Sequence, residues 1–94
     1  MIDVNKIEVI QKRTKKRFLR QQNKYIKIVN KAIKYNAKHG KNYIEVSLSE
    51  PFVNSNFVDK IINIYKERGF EVEKCERAYS GEYLLIKWRK MEDF

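Results

Sequence analysis

The amino-acid sequence predicts an α+β fold: a long basic N-terminal helix followed by β-α-β-β, arranged as a two-layer, open-faced sandwich with a three-stranded mixed sheet. Two changes of pattern carry this reading. Apolar and small polar residues recur every three or four positions from Val4 to Asn36, and beyond Asn42 the alternation drops to two. Three isolated glycines at 40, 69 and 81 then punctuate the chain where elements should end.

The first element starts at Asp3, whose carboxylate suits both an N-cap and the positive end of a helix. Val4, Ile7, Gln11, Thr14, Phe18, Gln22, Tyr25, Val29, Ala32 or Ile33, and Asn36 form one stripe. Gly40 is placed to end the helix in the left-handed conformation, with Lys38 and His39 in a last turn that favours cations. A helix over residues 4–39 would be on the order of 50 Å long, more than the remaining residues can cover. Gln11, Thr14 and Gln22 interrupt the stripe, so residues 25–36 are expected to dock on the core. The first half is expected to project, kink near Lys12–Arg17, or pair with a second copy.

After this helix, Ile44, Val46 and Leu48 alternate with Tyr43, Glu45 and Ser47 in a half-buried strand that Pro51 ends. Asn54 or Ser55 caps a second helix with Val58, Ile61, Ile62 and Tyr65 on one face and Gly69 at its end. Phe70 and Val72 alternate with Glu71 and Glu73 in a second strand, Ala78–Gly81 forms a hairpin loop, and Glu82–Arg89 is a third strand. Lys90–Phe94 is expected to fray. The hairpin makes strands two and three antiparallel, and a right-handed crossover through the second helix returns strand one parallel to strand two, with strand three between them. Both helices then cover the apolar side, leaving Glu45, Ser47, Glu71 and Glu73 on the open face.

The 94 residues make a single domain, residues 1–40 being the helix and 41–90 the βαββ core. With 43% hydrophobic residues and twelve aromatics, the chain can build a core despite its charge. Cys75 is the lone cysteine, the start Met-Ile-Asp-Val lacks the features of a secretory signal, and no apolar run could cross a bilayer. The expectation is a reduced, cytoplasmic protein with no membrane partner.

The helix ending Ala-Lys-His-Gly, the strand Tyr43–Leu48, the short helix ending Arg-Gly-Phe-Glu-Val and the closing Leu-Ile-Lys-Trp resemble a pattern in small α-β-α-β-β proteins of tailed bacteriophages, many of unknown function. The resemblance covers roughly residues 29–88. It implies the host-cell cytoplasm as the place of action and carries over no functional residues. The long basic helix is an addition to that pattern.

Charge is the chief functional signal. The net charge of +9 divides into +11 over residues 1–41 and −2 over residues 42–94. Lys12–Lys41 holds nine Lys and three Arg without one acid. Like charges four residues apart each cost a few tenths of a kcal/mol, so this segment is a poor choice if its only task is to solvate a helix. Arg13, Arg20, Lys24, Lys27, Lys31, Lys34 and Lys38 stay within roughly 40° of the line opposite Val29, a row suited to phosphates in a groove or along a backbone. With Lys12, Lys16 and Arg17 they form the candidate binding residues for DNA or RNA, and Gln21, Gln22, Asn23 and Asn30 are candidates for base or phosphate hydrogen bonds.

The alternative partner is an acidic protein surface, as for a phage-type effector, inhibitor or assembly protein. Homodimerisation is a further option, through the long helix or with the carboxylates of the open sheet receiving a second copy's basic helix. No enzyme, metal or cofactor signature is present. His39 stands alone beside a helix-end glycine, Cys75 lies among Glu73 and Glu76, which do not activate a thiol, and Glu71 and Glu73 read as solvated strand residues.

Overall fold

The computed structural model describes residues 3–79 and 81–89. Helix α1 runs over Val4–Lys38, strand β1 over Tyr43–Ser47, helix α2 over Ser55–Glu67, strand β2 over Glu71–Arg77 and strand β3 over Gly81–Lys87. The expected fraying tail and Ser80 of the hairpin loop lie outside the described residues.

Local chemistry sets both helix boundaries. Asp3 caps α1 by accepting from the Lys6 backbone N–H at 2.9 Å, and Asn54 caps α2 by accepting from that of Phe57 at 2.9 Å. Each helix ends with a pair of interlocked bonds around a glycine. The Gly40 N–H donates to the Ala37 carbonyl and the Lys41 N–H to that of Asn36, while those of Gly69 and Phe70 donate to Lys66 and Tyr65. Gly40 at φ +79° and Gly69 at φ +92° take the left-handed conformation this closure needs. After the second closure the Phe70 ring returns edge-on to Tyr65, with centroids 5.6 Å apart.

The strand order is β1-β3-β2 and both ladders are antiparallel, pairing Ile44 with Ile86 and Val72 with Ile86. The expected mixed sheet is therefore corrected: β1 and β2 run the same way, but β3 separates them and no parallel hydrogen bonds form. Backbone pairing extends just past the strands, from Leu48 N–H to Glu82 and from Trp88 N–H to Asn42.

Alternation decides which face of the sheet is covered. Ile44, Leu48, Val72, Leu84 and Ile86 are buried with Val29 of α1 and Phe57, Val58, Ile61 and Tyr65 of α2 in one core. Both helices thus lie on one side, as expected for the open-faced sandwich. Ile61, Tyr65, Leu84 and Ile86 are the fully buried side chains at its centre.

Helix α1 is continuous from end to end, with no interruption near Lys12–Arg17. Its docked part begins earlier than residues 25–36, because Gln22 is buried and Phe18 half-buried. Spacing alone makes Gln22 a polar gap in the stripe. Its Nε2 instead donates to the Phe52 carbonyl at 3.0 Å, so the amide serves a loop that would otherwise leave that oxygen poorly solvated. Residues 3–13 are all exposed, and the molecule extends 66 Å along its long axis against 27 and 20 Å across. The first half of α1 projects beyond the sandwich.

Candidate functional site

The ten candidate cations arise from one geometric fact: α1 rests on the core along the Gln22–Val29 line, which turns the opposite side to solvent. Lys12, Arg13, Lys16, Arg17, Arg20, Lys24, Lys27, Lys31, Lys34 and Lys38 are all exposed. At about 100° per residue Lys16 joins the row formed by Arg13, Arg20, Lys24, Lys27, Lys31, Lys34 and Lys38, with Lys12 and Arg17 on its flanks. The row from Arg13 to Lys38 is about 37 Å long at 1.5 Å per residue. Arg17 also lies over the Phe18 ring, 5.9 Å from its centroid.

Among the described residues none of these cations is in an ion pair, although Glu50 lines one pocket together with Lys24. Among the described residues the ion pairs are Lys74–Glu82 and Arg77–Glu45, both between strands. The acids at the start of α1 are Asp3, which acts as N-cap, and Glu8.

The polar candidates for base contacts divide. Gln21 and Asn23 are exposed, whereas Gln22 is buried and Asn30 half-buried, each with one polar atom bonded within the fold. Gln22 binds the Phe52 carbonyl, and the Asn30 Oδ1 accepts from the Tyr65 hydroxyl at 2.7 Å. Both side chains thus have a partner within the fold, and Asn30 stays half-exposed. Spacing alone places Asn30 near the cations and Gln22 on the docking stripe, and only the position of α2 and the residue 49–54 loop reveals their partners.

The open sheet face departs from a plain acidic surface. Glu45, Glu71 and Glu73 are exposed there, but the register sets Lys87 between Tyr43 and Glu71, and Arg77 reaches across β3 to Glu45. The Arg77 guanidinium also lies over the Tyr83 ring, 4.5 Å from its centroid. The hydrogen bond to Glu45 raises the Arg77 pKa further, holding it protonated. Sequence reasoning missed this Arg77–Tyr83–Glu45 cluster. The hairpin alone could have set Arg77 near Tyr83, but the reach to Glu45 also needs the β1 register.

Two phenols are tuned by burial. Desolvation, with smaller contributions from Tyr65 and Glu50, pushes Tyr25 up to about 12, and burial also raises Tyr65. Tyr25 donates to the Ser47 carbonyl at 2.6 Å, so both hydroxyls act as neutral donors that tie a helix to its neighbour.

His39 is exposed at the end of α1 with its ring 4.3 Å from that of Tyr35, and Cys75 is a half-buried free thiol opposite Tyr83 in the ladder. Among the described residues no three His, Cys, Asp or Glu side chains are grouped to hold a metal ion. Nor is any helix among them long and apolar enough to cross a membrane. A groove of about 490 Å³ lies where α1 passes the start of α2, lined by Gln11, Thr14, Lys15, Phe18, Leu19, Gln22, Asn54, Asn56, Phe57 and Lys60. No protein-family model, curated protein or solved structure matches the chain.

Proposed function

We propose that this is a non-enzymatic nucleic-acid-binding protein that grips phosphates through the cationic face of α1. The observation that carries the reading is the exposed row from Arg13 to Lys38, spread along about 37 Å of one helix with its successive charges mostly about 4 to 6 Å apart along the axis. A row of that length suits an extended polyanion, whose charges repeat regularly, better than a compact acidic patch on a folded protein. The projecting half adds Lys12, Arg13, Lys16 and Arg17 beyond the sandwich, where a duplex can approach them without meeting the sheet.

Phosphate contacts of this kind confer affinity and orientation and carry little base information. Exposed Gln21 and Asn23 lie beside the row and are the polar side chains placed to add base or sugar contacts. Binding through the sheet by base stacking is the poorer mode, because Glu71 and Glu73 face any strand laid across it.

The test compares the whole chain with a variant carrying Lys24, Lys27, Lys31 and Lys34 each changed to Glu, using gel shift on duplex DNA and RNA and pull-down from cell extract. Loss of the shift with an unchanged fold supports the reading. Undiminished nucleic-acid binding by the variant overturns it. Failure of the parent to bind, together with charge-dependent capture of a stoichiometric protein, assigns the row to an acidic protein partner instead.

A further inference from the structure

The stripe that docks α1 on the core continues past the end of the core. Val4, Ile7, Gln11, Thr14 and Phe18 follow one another at alternating steps of three and four, the spacing of a coiled-coil seam. Val4 is 69% and Ile7 44% exposed, although both lie on the line that buries Val29 farther along. Residues 3–13 are exposed throughout, and a helix of such length with so many like charges gains little from propensity alone.

We propose that the projecting halves of two copies of this chain pair antiparallel, as an isologous dimer. The register follows from the residues. Setting Ile7 against Phe18 of the second copy brings Val4 to Gln21 and Gln11 to Thr14, and the two-fold axis repeats each layer. Positions flanking the seam then meet as Glu8 with Lys15 and Asp3 with Lys24. Both acids at the start of α1 are thereby set against a cation of the second copy. A parallel pairing would instead put Asp3 beside Glu8, two like charges. Charge complementarity thus selects both the occupant and its direction.

The antiparallel register also brings the second copy's Val4 and Ile7 towards the groove between α1 and α2, whose apolar wall is Phe18, Leu19 and Phe57. The two sandwiches sit at opposite ends. Lys24 and Arg17 flank the seam and Gln21 enters it, but the rest of the cationic row lies on the far side of the helix, so pairing leaves that part open on both chains. The dimer therefore stands independently of what the row binds.

Sedimentation equilibrium on the full chain at about 100 µM tests this, since a dimer is a function of protomer concentration. The parent is expected at twice the mass of one chain and Ile7→Asp at the mass of one, with the cooperative unfolding of the sandwich retained because Ile7 lies outside the core. Glu8→Lys and Lys15→Glu should each weaken the dimer about tenfold, as each turns two symmetry-related attractions into repulsions, and the double change should restore it. A monomeric parent, a dimer indifferent to Ile7→Asp, or a double variant no tighter than the single ones overturns the proposal.

Discussion

The Tyr65 hydroxyl donates to the Asn30 side-chain oxygen at 2.7 Å and so fastens α2 to α1 across the interior. Tyr65 is 1% exposed, and its hydroxyl has no solvent to fall back on. Removing it leaves an acceptor on Asn30 without its partner. Tyr65→Phe is expected to cost about 1–2 kcal/mol, measured as a lower urea midpoint with an unchanged slope. Asn30→Asp should retain an acceptor but place a charge at the helix interface, and should cost more than Tyr65→Phe in the same measurement.

Gln22 makes the corresponding link from α1 to the loop before α2. Gln22→Leu keeps the apolar part of the side chain but leaves the Phe52 carbonyl unpaired, an expected loss of about 1–3 kcal/mol. Amide exchange should increase around Glu50–Asn54, where Val53 N–H bonds to the Glu50 carbonyl, more than in β3. Uniform change across the chain would mean that Gln22 acts only through general packing.

The tyrosines predict a sensitivity to alkali. The folded state holds Tyr25 neutral up to about 12 against an ordinary value of 10.0, so it binds the phenolic proton more tightly than the unfolded chain does. The stability this confers is complete below the unfolded value and is lost as pH rises towards the folded one. Tyr65, raised by burial, acts in the same direction. Urea midpoints should therefore fall as pH rises from about 10 to about 12, and Tyr25→Phe should flatten that fall while lowering the midpoint at neutral pH through loss of the bond to Ser47.

Much of the fold was legible in the sequence because the signals were local. Asp3, Asn54, Gly40 and Gly69 stop or start helices by bonds within a few residues, and the alternation around Ile44, Val72 and Leu84–Ile86 marks the buried face. The cationic row was equally readable, since helix period and residue type alone place Arg20, Lys27 and Lys38 opposite Val29. What escaped depends on neighbours distant in sequence. Gln22 reads as a polar gap until Phe52 is placed beside it, Asn30 reads as a surface amide until Tyr65 reaches it, and Glu45 reads as a free carboxylate until Arg77 crosses β3. In each case a polar side chain on a patterned element meets a partner about 30 residues or more away.

The salt dependence of binding bears most directly on the cationic row. Fluorescence anisotropy of a labelled duplex is followed between about 50 and 200 mM salt, where each neutralised phosphate contributes about −0.9 to the slope of log K against log salt. The parent should show a steep negative slope. Replacing Lys24, Lys27, Lys31 and Lys34 by Gln removes four exposed charges without reversing them and should make that slope shallower by about 3 to 4. A parent affinity independent of salt, or a slope that the four replacements leave unchanged, would contradict phosphate binding by this face of α1.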